Sequence, residues 1–308
     1  MDSEENRRRF TEAAREERPD LALLCLLIGV EAAAHAAVPT TGGDGTGDVP
    51  VEVPGEISGE AGADAGADAV VDAAQIELDR LAGLLPYEPS RTPAQWATAL
   101  ERLLGDEHGF RGAPGDYRRL ESSLLHAVLR RRRGLPILLS VVWIEVARRA
   151  GAPVYGVALP GHFVVGFGDP AGDHVLADPF AGGRALAQGD VDLLVAGATG
   201  GRAPLSAAML QPAGPREIVL RILNNVRAWA GARPEQSTVQ LWAVELSLLL
   251  PHHPARLRYE RAELLVERGD FVRGAREMES YADVVAAMEP NAAENMRRAA
   301  RAARARLN

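Results

Sequence analysis

At 308 residues, 47% of them hydrophobic and 25% charged, the chain is long enough for one large globular domain or two modest ones. Its formal net charge of −8 argues against a general nucleic-acid binder, which needs a basic footprint to displace counterions from phosphates. Lysine is absent, which excludes Schiff-base, P-loop and kinase-type lysines; the single cysteine, Cys25, excludes an intrachain disulfide and argues against a cysteine-based zinc site.

Residues 4–37 read as two helices broken at Pro19-Asp20, with Asp20 as the N-cap of the second. The apolar stretch from Leu21 to Val38 is similar to the core of a signal peptide. Its leader mixes Arg7, Arg8 and Arg9 with more numerous carboxylates, and Glu31 and His35 interrupt it, so a buried amphipathic helix is expected instead. No other stretch approaches the ~20 apolar residues of a membrane span. These features predict a soluble cytoplasmic protein with no membrane association.

From about 40 to 68 the chain is acidic and glycine-rich, without arginine or aromatic residues, and a mobile insertion is expected. Helices are predicted over 69–84 and 93–104. A loop with Gly109-Phe110-Arg111-Gly112 and Tyr117 follows, then a helix over 119–132. Gly134 ends that helix and Pro136 opens the next, since proline is favoured at a first helical position. Residues 137–150 are apolar on nearly every side, so this helix belongs inside a domain.

Three strands are predicted over 154–159, 162–167 and 174–178. The turn residues 168–173 make the last two an antiparallel hairpin centred near 170. Opposed residue numbers then sum to about 340, which sets His162 against Asp178 on one face. After a Gly/Ala-rich loop, helices are predicted over 217–230, 237–250, 255–268 and 271–288, with a basic one from 292. Helix pairs of about 34 residues have the period of tetratricopeptide repeats. Gly274 departs from that pattern, standing where alanine is usual.

The runs Arg132-Arg133-Gly134-Leu135-Pro136-Ile137-Leu138-Leu139-Ser140, Glu145-Val146-Ala147-Arg148-Arg149-Ala150-Gly151, Pro160-Gly161-His162-Phe163 and Asp178-Pro179-Phe180-Ala181-Gly182-Gly183 resemble a bacterial family. It is the SirB-type family, named for an invasion-gene regulator, which pairs a transglutaminase-like domain with tetratricopeptide repeats. Ser122 and Ala181 depart from it, standing where asparagines are expected. The resemblance implies an α+β, mostly helical chain. Residues 1–214 would form a transglutaminase-like (papain-like) core with a small antiparallel sheet, and residues 215–308 an α-helical repeat tail. It also implies a cysteine nucleophile at the start of a buried helix, a histidine base and an aspartate that orients the imidazole. By position the last two fall on His162 and Asp178. The nucleophile falls on Pro136 or a near neighbour, and neither Pro136 nor Ile137 can attack a carbonyl.

Two functions follow. The first is a non-catalytic scaffold or regulatory protein that holds a protein or peptide partner, with no cofactor, no metal and no nucleic acid. The second is a hydrolase or acyl-transfer enzyme in which His162 and Asp178 act with Ser140 or a bound water. Each residue also has a plain structural reading: His162 as a hydrogen-bonded core histidine, Asp178 as a cap before proline, and Ser140 as a hydroxyl bonded to the carbonyl four residues back. Cys25 reads as inert packing, and His252-His253 as an exposed turn.

Overall fold

The computed structural model describes residues 3–36, 60–86, 88, 90–201 and 205–306. The first two helices are α1 (Ser3–Arg15) and α2 (Leu21–Ala36). Asp20 caps α2, its Oδ1 accepting from the Leu23 amide at 2.9 Å. In α2, Leu21, Ala22 and every residue from Leu24 to Glu31 are buried. The helix is therefore enclosed on all sides rather than amphipathic as expected, because it has no polar face to turn outward.

Glu31 is fully buried in this apolar helix. Its carboxylate accepts from Ser3 Oγ (2.8 Å), Asn6 Nδ2 (2.8 Å) and Arg7 Nε (2.7 Å), and His35 Nε2 lies 3.2 Å away. Burial opposes its ionisation, but the bonds from His35 and Asn6, the charge of Arg7 and the Ser3 hydroxyl together outweigh burial and hold the carboxyl at about 2.

The next helix, α3 (Glu60–Gly83), begins inside the segment expected to be mobile. Alternating alanines favour the helix there, and the acidic residues sit near its N-terminus, where they oppose the dipole. Arg9 pairs with Asp68 at 2.6 Å, which ties the last residue of the expected insertion to α1. Residues 40–59 of that segment lie outside the described residues.

Thr92 and Gln95 form a capping box at the start of α4 (Pro93–Leu100), which runs on into a π-helical turn over Glu101–Glu107. The helix predicted over 119–132 is instead two 3₁₀ turns, Pro114–Arg118 and Leu120–Ser123, followed by α5 (Leu125–Arg131). The buried α6 (Pro136–Arg149) follows, and every residue from Pro136 to Ala147 is buried.

The sheet consists of β1 (Val154–Val157), β2 (Val164–Gly168), β3 (His174–Asp178), β4 (Arg184–Leu186) and β5 (Pro212–Ala213). Its order is β4-β3-β2-β1-β5, all antiparallel. Between β4 and β5 lies α7 (Gln188–Thr199), in the stretch read as a loop. Two glycines weaken its helical signal, but Val191 and Val195 lie one turn apart and pack with Val157, Leu159 and Leu176.

Five helices complete the chain: α8 (Pro215–Gly231), α9 (Ser237–Leu249), α10 (Leu257–Glu267), α11 (Phe271–Val285) and α12 (Pro290–Ala305). A Cβ on Gly274 would lie 2.5 Å from Val266 Cγ2 and 2.8 Å from the Ala262 carbonyl. The close approach of α10 and α11 therefore explains why glycine replaces alanine. Ile218, Val219 and Ile222 of α8 and Trp242 and Leu246 of α9 join the same core as α2 and α6, whereas α10 packs through Leu257 and Leu264 on Val244 of α9 and Leu220 of α8, and α11 and α12 pack with α10 in smaller clusters. Arg7 binds Glu245 of α9 at 2.7 Å as well as Glu31, so one guanidinium ties α1, α2 and α9 together. No helix among the described residues is long and apolar enough to cross a membrane.

Candidate functional site

Two glycine-containing loops meet at the end of the hairpin. The Gly112 amide donates to the Phe180 carbonyl at 2.9 Å, and a Cβ on Gly112 would fall 1.8 Å from the Phe180 ring. A Cβ on Gly105, in the π-helical turn, would fall 1.9 Å from the Gly182 carbonyl oxygen. Both contacts require a residue without a side chain, and together they fix the loop that follows Asp178.

Asp178 ends β3 and caps the short turn Pro179–Ala181, with Oδ1 accepting from the Phe180 amide at 2.9 Å. Its other oxygen, Oδ2, lies 3.0 Å from His162 Nε2. The carboxylate is close enough for an ion pair but sits off the N–H direction, so Nε2 has no aligned hydrogen bond. Both side chains are largely buried. The hairpin register pairs Val165 with Ala177 and Phe167 with Val175, so opposed numbers sum to 342 rather than 340. A displacement of two preserves the face, and His162 remains beside Asp178 on a diagonal. His162 itself precedes β2, which starts two residues later than predicted.

Residues from elsewhere hold this pair. Arg221 of α8 donates to the His162 carbonyl at 2.7 Å and also to the Leu159 carbonyl, fixing the turn before β2. The Phe180 ring stands edge-on to the imidazole at 6.0 Å, and Tyr117 contacts Phe180 at 6.1 Å. Burial, with the Asp178 charge adding, pushes the Tyr117 phenol above its ordinary value. Sequence reasoning missed Arg221 and the roles of Tyr117 and Phe180. Tyr117 and Phe180 were visible inside the two glycine motifs, whereas nothing local to Arg221 marks it.

Pro136, on or near which the resemblance sets the nucleophile, is buried at the first turn of α6. Ser140 does not bond the carbonyl four residues back. Its hydroxyl donates to the Phe163 carbonyl at 3.3 Å, pinning the helix to the strand. Among the described residues, no hydroxyl or thiol hydrogen-bonds the His162 ring. Cys25 lies in α2, where burial pushes its thiol well above the ordinary range and the Glu145 and Asp20 charges push it further. Ser122 donates to Asp116 at 3.4 Å and accepts from Arg131 at 3.4 Å. His253 meets the Leu250 carbonyl at 2.9 Å in its turn. No three His, Cys, Asp or Glu side chains gather as metal ligands do among the described residues.

A cavity of about 300 Å³ opens between these loops and α8, lined among others by Tyr117, Ser123, Leu135, Asn225 and Trp229. Leu135 is the N-cap of α6, so the cavity borders the start of that helix beside Pro136.

A helical core around a buried helix, an antiparallel sheet carrying a His–Asp pair and a train of helix pairs define a class. The chain belongs to the transglutaminase-like superfamily, which matches residues 69–224, and residues 226–308 match the tetratricopeptide repeat. It is similar to the UPF0162 protein of Xylella fastidiosa, 37% identical over 164 residues that cover 52% of this chain and 58% of that one. It is also similar to UPF0162 protein PA3419 of Pseudomonas aeruginosa, 41% identical over 114 residues, or 37% of this chain and 41% of that one. Mouse F-box only protein 21 matches at 25% identity over 172 residues, 54% of this chain and 26% of that one. Each match spans less than two thirds of the relative's length. These bacterial relatives carry the UPF0162 name, not that of the invasion-gene regulator.

Proposed function

We propose that this chain is a non-catalytic member of its superfamily that binds a protein or peptide partner and works in the cytoplasm. One observation supports the reading: His162 and Asp178 stand together without a hydroxyl or thiol partner, and Pro136 stands where the resemblance sets the nucleophile. Hydrolysis through Ser140 is disfavoured because that hydroxyl is buried and donates to Phe163. Stacked helix pairs form grooves that suit protein or peptide partners, which supports the binding role.

The test has two arms. Wild-type protein incubated with peptide amides should release no acid or amine above background by mass spectrometry. Pro136→Cys in a Cys25→Ala background should react with iodoacetamide faster than an ordinary exposed thiol at neutral pH, since the reading sets His162 beside that helix N-terminus and both favour thiolate. His162→Ala should remove that enhancement. Wild-type turnover that disappears in Ser140→Ala would overturn the reading.

A further inference from the structure

The cavity beside the start of α6 has a chemistry of its own. Its lining includes two guanidiniums, Arg119 and Arg233, and no Asp or Glu among the described residues, in a chain of net charge −8. Arg233 stacks on Trp229 with its guanidinium 4.5 Å from the ring centroid and donates to the Trp229 carbonyl at 2.6 Å. Arg119 has no side-chain partner among the described residues, and neither guanidinium is neutralised by a carboxylate.

Two uncharged groups point the same way. Ser123 is 2% exposed and lines the cavity, yet its hydroxyl makes no hydrogen bond among the described residues. The Asn225 amide, from α8, is likewise free of protein partners there. Neither polar group is fully enclosed and Asn225 is half-buried, so both are open to a ligand atom in the cavity. The remaining walls are Tyr117, Trp229 and aliphatic side chains, so apolar and cationic groups share one lining. The Trp229 indole does not compete for the ligand, because its N–H donates to the Arg118 carbonyl at 3.0 Å.

We infer that this cavity binds a peptide carboxylate. Arg119 and Arg233 take the carboxylate, Ser123 and Asn225 bond the adjoining peptide group, and one apolar side chain lies against Trp229 and Tyr117. A volume of about 300 Å³ fits one or two residues, not a long segment. The inference rests on the peptide-binding reading above and names its ligand. The carboxylate comes from a chain terminus or from an acidic side chain, and the two sources are separable.

The probes are acetyl-Leu-Phe as the free acid, acetyl-Leu-Phe amide, and acetyl-Asp-Phe amide. Binding is read by calorimetry and by the ¹⁵N–¹H indole signal of Trp229, assigned with Trp229→Phe. The other tryptophans, Trp96, Trp143 and Trp242, are at most 7% exposed, so Trp229 is the reporter open to ligand. The free acid should move the Trp229 signal and bind about tenfold or more tightly than its amide, as a charge-assisted contact requires. If a side-chain carboxylate serves, acetyl-Asp-Phe amide matches the acid; if a terminus is required, it matches the plain amide. Arg119→Gln with Arg233→Gln should remove the preference for acid. Arg119 is exposed and Arg233 half-buried, so the fold should tolerate both changes, which circular dichroism checks. Equal binding of acid and amide, binding that leaves Trp229 unmoved, or no shift from any probe overturns the assignment. Conversion of an amide probe to its acid would instead overturn the non-catalytic reading while leaving the carboxylate site standing.

Discussion

Replacing Glu31 by glutamine keeps the shape of the side chain and removes its charge from a site that is 0% exposed. In the folded chain the carboxyl titrates at about 2, against an ordinary 4.5. A depressed folded value means that the charge stabilises the fold above the unfolded value and that this stability is lost as pH falls toward 2. The difference, at 1.36 kcal/mol per unit, corresponds to about 3 kcal/mol at neutral pH. Removing one partner of a buried ion pair typically costs about 3–5 kcal/mol; glutamine keeps one acceptor oxygen, which can serve Ser3 or Asn6 but not both. Urea unfolding of wild type and Glu31→Gln, followed by circular dichroism at several pH values, measures the effect. The stability gap should be about 3 kcal/mol at pH 7, narrow below about pH 4.5 and nearly close at about pH 2. A gap under about 1 kcal/mol at pH 7, or one that does not shrink with acid, would refute the argument that the Glu31 charge is held by its partners.

Ile144 in α6 is 1% exposed, and Ile144→Ala should cost about 2–5 kcal/mol in the same unfolding assay. A cost below about 1 kcal/mol would mean the helix is peripheral. Gly105→Ala drives a methyl to 1.9 Å from the Gly182 carbonyl, a backbone atom that cannot swing aside, so a loss of at least about 1–3 kcal/mol is expected. Gly115→Ala, where a Cβ meets nothing within 4 Å, is the control, and equal losses at the two glycines would sink the close-approach argument.

The elements with a strong periodic or capping signal were legible in the sequence. The helix from Pro136 and the break at Asp20 came from apolar coverage and turn chemistry, and the hairpin was placed by its Gly-Asp-Pro turn. Its register was off by two, an even displacement that left His162 and Asp178 on one face. An odd displacement would have parted them, so the pairing depended on parity rather than on the exact count. Less was legible where tertiary contact decides. The short helix from Gln188 owes its place to two valines meeting a distant cluster, and the acidic stretch from Glu60 became helix through its alanines. Glu31 was read only as an interruption of an apolar run. A carboxylate there needed partners, and the donors lay on the preceding helix, in Ser3, Asn6 and Arg7. Arg221, which holds the His162 turn, is distant in sequence, and no spacing rule connects them.

The shared core of α8 and α9 also governs how binding energy travels. A repeat array hung on a flexible tether would search a volume, and each docking event would be opposed by the entropy of stopping that search. Here the first helix pair is bolted through Trp242 and Leu246 into the same interior as α2, and Arg7 clasps Glu245 from outside. A partner gripping α10–α12 would therefore meet the Trp229 cavity at a preset distance and angle, with little orientational freedom left to surrender.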